Sequence, residues 1–228
     1  MNLNIISRTN IESVLKKTSI SFFDSENQKK ELNDLLGNLK IEKSNNFIFN
    51  LLEQKKIYHI SQIKKVCIDY RLRFLDVKYF KNQLPNSAIE DVLKIEKEHK
   101  TSINGFKIIA PSALFRLKKT DDPLLFAPLG NNYFYLIHKW GNDLHPFRKL
   151  MMWPLKNIWN LLFFILAISL IITLIIPIAI FTKTAELSSY LTLFFFMFKA
   201  IVSISLFYGF ASGKNFNTAI WNNKFDKF

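Results

Sequence analysis

Between Lys156 and Lys183 run 26 residues without a charge, most of them Leu, Ile and Phe. Roughly 20 apolar residues suffice for a helix to cross the hydrocarbon layer of a bilayer. The run is long enough to span and too apolar for the core helix of a domain. A second run follows Glu186 and continues to Gly213, broken only by Lys199. The pattern predicts two transmembrane helices, 158–181 and 187–211, joined by the polar link 182–186 as a tight hairpin. Neither run reads as a signal peptide. Both lie far from the start MNLNIISRTN, which has no apolar core.

Lys and Arg next to the spans set orientation. Lys139, Arg148, Lys149 and Lys156 precede the first run, and Lys214, Lys224 and Lys227 follow the second. The loop between them holds Lys183 alone. Both termini are therefore expected on the cytoplasmic side of a bacterial inner membrane. Trp153, Trp159 and Trp221 fall where an interfacial aromatic belt sits, together with the anchors Arg148, Lys149 and Lys156. In the tail, 214–228, Trp221, Phe225 and Phe228 are spaced for an amphipathic piece lying on the membrane surface.

Lys199 needs an explanation. It stands 12 residues past Leu187, about 18 Å along a helix at 1.5 Å per residue. A charge at that depth costs about 3 kcal/mol on insertion scales. At 100° per residue Ser188, Thr192 and Ser203 share its side of the helix, making one polar stripe. Neither run contains Asp or Glu, so the hairpin offers no carboxylate. One internal solution uses the region of Ser169, Thr173 and Pro177, because Pro177 cannot donate to the carbonyl four residues back. The other has Lys199 lining an oligomer core, a pore or a contact with another membrane protein. Ser205, Gly209 and Gly213 repeat every four residues, a small-residue face suited to close helix packing between chains or within the hairpin.

The remaining sequence is that of a mixed, charged domain. Residues 1–154 hold 25 Lys and Arg against 16 Asp and Glu. The first hundred residues read as helices. Asn10, Asp24, Ser25, Ser44 and Ser61 stand as possible starts, Gly37 as a stop, and Ser87 with Glu90 as a capping box. After Ile103, GFKIIAP, ALFRLKK, PLLFAPLG and YFYLIHKW are short, aromatic and separated by turn residues, an antiparallel meander of three or four strands. The expected organisation is an α+β cytoplasmic domain over 1–140, an interfacial linker over 141–157, the hairpin over 158–213 and the tail. A stiff linker with Pro146 and Pro154 would couple motion of the domain to the helices.

Catalytic signatures are sparse. His138, Asp143 and His145 form the densest polar cluster, but their spacing matches no zinc pattern. His59 and His99 are isolated in sequence, Cys67 lies in an apolar-periodic helix, and Asp121-Asp122-Pro123 reads as a turn. No cofactor, metal or catalytic residue is expected. The net charge of +13 would permit nucleic-acid binding. Its Lys pairs are spread over every element, though, and an anionic inner leaflet already accounts for them. Three classes of function compete. The first is a sensor–effector whose hairpins self-assemble and perturb the bilayer. The second is an accessory subunit of a membrane complex, and the third, ranked last, a tethered enzyme using His138, Asp143 or His145.

Overall fold

A computed structural model describes residues 8–23, 45–80, 82–111, 123–181, 186–211 and 221–222. The chain divides into two compact units, Met1–Lys149 with Ala219–Lys224, and Leu150–Thr218 with Phe225–Phe228.

The first unit is built on a five-stranded antiparallel sheet: β1 (Ile57–His59), β2 (Leu72–Asp76), β3 (Lys107–Pro111), β4 (Leu124–Gly130) and β5 (Tyr133–Lys139), in the order β1-β5-β4-β3-β2. Helices α1 (Ile11–Phe23) and α2 (Ile60–Tyr70) cover one face, and α3 (Asn86–His99) the other. Both faces are buried, so the central strands read as continuous apolar runs rather than as alternating ones. Along β5, Phe134 and Leu136 enter the cluster under α1 and α2, while Tyr135 and Ile137 enter the cluster under α3. Each fully buried Leu, Ile or Phe contributes roughly 1.5–3 kcal/mol. The β4–β5 turn places both Asn131 and Asn132 at positive φ, 51° and 62°. That conformation matches the right-handed twist of a hairpin and suits Asn.

Local signals fix some boundaries, and tertiary contacts overrule others. Asn10 accepts a bond from the Ser13 N–H at 3.3 Å and opens α1. The expected helix from Ser44 is absent from the described part of that stretch. Residues 49–51 and 54–56 form single 3₁₀ turns instead. The Ile48 N–H goes to His99 Nδ1, and the Asn45 amide reaches the carbonyls of Asn104 and Pro128. The backbone is thus held by the domain and not by itself. Ser61 does not cap α2; His59 does, accepting from the Ser61 N–H, while Gln62 accepts from the His59 N–H at 2.9 Å. The helix expected to run on through RLRFL ends at Tyr70. Arg71 turns left-handed at φ 51°, and Leu72–Asp76 become β2. Two strands therefore lie in the part expected to be wholly helical, because the sheet needs them for pairing. Asp24, Ser25, Gly37, the strand ALFRLKK and the Asp121-Asp122 turn lie outside the described residues.

The start of the segment expected to be an interfacial linker is tied to this unit. Thr9 and Leu144 exchange backbone bonds of 2.7 and 3.0 Å, Lys139 meets Asp143 at 2.6 Å, and Arg148 Nε donates to the Tyr70 carbonyl at 2.9 Å. A short helix, α4 (Arg148–Met152), follows.

The second unit contains the two apolar helices, α5 (Ile158–Ile175) and α6 (Leu187–Ala211), packed on each other. Helix α5 ends six residues short of the expected 181. Ile176 is extended, as the residue before a proline prefers, and a 3₁₀ turn over Ile178–Ile180 follows Pro177. The buried side of α5 is a strict four-residue repeat, Leu161, Ile165, Ser169 and Thr173.

Candidate functional site

Two places collect the chemistry of this chain. The first is the outward side of α6. Ser188, Thr192, Lys199 and Ser203 all lie exposed on one stripe of that helix. Thr192 donates to the Ser188 carbonyl at 2.9 Å and Ser203 to the Lys199 carbonyl at 2.9 Å, so the hydroxyls bond back to their own helix. Among the described residues the Lys199 ammonium has no hydrogen bond or ion pair.

The internal partner region does not receive it. Ser169 and Thr173 are buried, and they spend their hydroxyls on the carbonyls of Ile165 and Ser169, each at 2.7 Å. Pro177 lies beyond the end of α5 and makes no kink within it. Ser205 lines an apolar groove between α5 and α6 with Ile158, Leu161, Leu162, Ile165 and Val202. Gly209 is buried. Gly213 lies outside the described residues, as do Lys214, Lys224 and Lys227.

The expected anchors divide. Trp153 and Trp159 are exposed. Arg148 and Lys149 engage the end of α2, Lys149 at 3.6 Å from Asp69. Lys156 is half-buried. Trp221 packs against the core cluster under α1 and α2, with Lys64 Nζ 5.8 Å from its ring centre. One side of a ring expected at the membrane surface is therefore held by the domain.

The second place is His138. Its sequence neighbours are not its partners: Asp143 pairs with Lys139, and His145 accepts from the Phe147 N–H. His138 Nδ1 instead meets Asp91 Oδ2 at 2.8 Å, and Nε2 meets Ser87 Oγ at 3.1 Å. Ser87 and Asp91 stand one turn apart on α3. A bulge makes this possible. In the β4–β5 ladder Leu125 pairs with His138 and Phe126 with Leu136, leaving Ile137 as an extra residue. Strict alternation would send His138 to the α1–α2 face. The extra residue returns it to the α3 face. Ser87 was expected to cap α3 with Glu90. Pro85 holds the cap position, and the Ser87 hydroxyl goes to the imidazole.

The other candidates have structural roles. His59 caps α2. His99 is buried, accepts from the Ile48 N–H at 3.0 Å and meets Phe47 edge-on. Cys67 is buried, which pushes its thiol pKa up and leaves it a core residue. Among the described residues no group of His, Cys, Asp and Glu could hold a metal ion. No protein-family model matches the chain, and no curated protein or solved structure is similar to it.

Proposed function

We propose that this chain is a two-pass integral protein of a bacterial inner membrane, with both termini cytoplasmic. Its hairpins associate through the α6 stripe, and its cytoplasmic domain binds the signal or partner that controls them. One observation carries the reading: α5 and α6 are long enough and apolar enough to span, yet little of either is buried, 22% and 6% of the two spans. A core helix of a soluble domain would be enclosed. Leu162, Phe163, Leu174, Phe195, Phe196 and Phe207 instead point outward. Soluble proteins rarely expose so continuous an apolar surface, and acyl chains are its natural cover.

Within that surface Lys199 and its three hydroxyl neighbours call for something other than lipid. Repeated copies of the stripe facing a shared axis would supply water and hydroxyls to the ammonium, and would perturb the bilayer where they meet. A second reading rests on the lack of any carboxylate in either span. A partner's Asp or Glu would then neutralise Lys199, and the chain would be an accessory subunit of a larger complex.

In-membrane crosslinking of the full chain, with and without Lys199→Leu, tests the reading. Self-association predicts a ladder of homo-oligomers, and depolarisation on expression that Lys199→Leu relieves. A subunit predicts crosslinks to one other membrane protein and no depolarisation. A monomer in native membranes, unchanged by the substitution, overturns both.

A further inference from the structure

We propose that Ser87 is a nucleophile for acyl transfer, with His138 as its general base and Asp91 as the positioning residue. The cluster would cleave carboxylic esters that carry an apolar group. The reading is independent of how the hairpin assembles.

The three side chains form a continuous relay. An ionised carboxylate only accepts, so the 2.8 Å contact from Asp91 Oδ2 places the ring proton on His138 Nδ1. Nε2 is then the free lone pair, 3.1 Å from Ser87 Oγ, and accepts the hydroxyl proton. This is the arrangement that activates a serine, recognised by its geometry and roles rather than by sequence order. His138 is fixed from a third side by Trp140, stacked at 6.0 Å with rings 24° apart, and Trp140 in turn meets Phe80 edge-on. Bulges that re-aim a side chain are over-represented beside active sites, and the one at Ile137 is what brings this imidazole to α3.

The hydroxyl is accessible, since Ser87 is exposed. It sits in the first turn of α3, which has no side-chain cap. The first N–H there to find a backbone acceptor is that of Ala88, on the Pro85 carbonyl. The N–H groups of Asn86 and Ser87 before it bond to no carbonyl among the described residues, and in this proposal they serve the developing oxyanion. Trp140, stacked on His138, gives an apolar surface beside the imidazole for the acyl group. Asp91 is half-exposed at 46%, so water screens the pair, and a slow esterase of broad specificity is the expected result.

In the first step Ser87 Oγ bonds to the ester carbon, the carbonyl pair moves to oxygen, and Nε2 takes the hydroxyl proton. Collapse breaks the bond to the alcohol, which leaves with the proton from Nε2. Water repeats the sequence on the acyl-serine, releasing the acid and restoring Ser87.

The full chain in detergent is treated with a fluorophosphonate and assayed with p-nitrophenyl butyrate. The expected result is one adduct, mapped by peptide mass to Ser87. Labelling and hydrolysis should be lost in Ser87→Ala and fall about 10²–10⁴-fold in His138→Gln, which keeps a hydrogen-bonding side chain but no base. Asp91→Asn should lower kcat with little change in KM, and Asp91→Glu should recover part of it. Unchanged melting temperatures in these variants show that the fold is kept. No adduct at Ser87 in the wild-type chain, or equal labelling in a folded His138→Gln, overturns the proposal and leaves the cluster as a tie between α3 and the sheet.

Discussion

His59 spends its imidazole on Ser61, with Nδ1 2.8 Å from the hydroxyl and 3.3 Å from the backbone nitrogen. Its ring accepts from the Ser61 N–H and meets Tyr133 edge-on at 5.0 Å, and its own N–H donates to Gln62 Oε1 at 2.9 Å. Replacing it with Ala should cost about 1 kcal/mol, the usual value of an N-cap, read as a lower midpoint in urea. The buried acids of the domain make a prediction in pH. Burial raises the pKa values of the Cys67 thiol and of the Tyr58 and Tyr70 phenols above their ordinary 9.0 and 10.0. Below those values both folded and unfolded chains keep these protons. Above them the unfolded chain loses protons that the folded chain retains, so stability falls as pH rises. The melting temperature should therefore decline from about pH 9 upward, starting later in Cys67→Ser. In the native chain at neutral pH, iodoacetamide should leave Cys67 unmodified, with full alkylation only in denaturant.

At the scale of elements, the helix pair depends on small residues where α5 approaches α6. Ser169 is fully buried and holds the third place of the repeat Leu161, Ile165, Ser169, Thr173. Ser169→Leu should overfill that contact and destabilise the hairpin by about 1–3 kcal/mol, measured by denaturing the detergent-solubilised chain with increasing dodecyl sulfate. Phe163→Leu, on the exposed surface of α5 and away from the stripe, should leave the same titration unchanged. Element identity was legible wherever periodicity and local chemistry agreed. The apolar runs, the start of α1 at Asn10 and the Gly130-Asn131-Asn132 turn are examples. It was not legible at Leu72–Asp76, where Leu-Arg-Phe-Leu-Asp can follow either period and only pairing with β3 selects a strand. Nor could the end of the first apolar run be read from hydropathy. Pro177 ends α5 through its effect on Ile176.

At the scale of the whole molecule, the apolar surface of α5 and α6 predicts how the chain fractionates. It should stay in the pellet after a carbonate wash and leave it only with detergent. Protease added outside spheroplasts should not reach residues 1–149. Release by carbonate alone would remove the transmembrane reading. The sequence by itself determined that two long apolar segments follow a charged domain and that one of them carries a lone cation with hydroxyls on its side. Those are properties of composition and helical period, visible within one element. Only the tertiary structure decided that Ser169 and Thr173 face inward while Lys199 faces out, since the rotation of α6 against α5 is set by packing across the pair. It alone set His138 beside Ser87 and Asp91, 51 and 47 residues away. One extra residue in β5 reverses the side on which every later side chain falls, and a ladder's irregularity exists only where two strands meet.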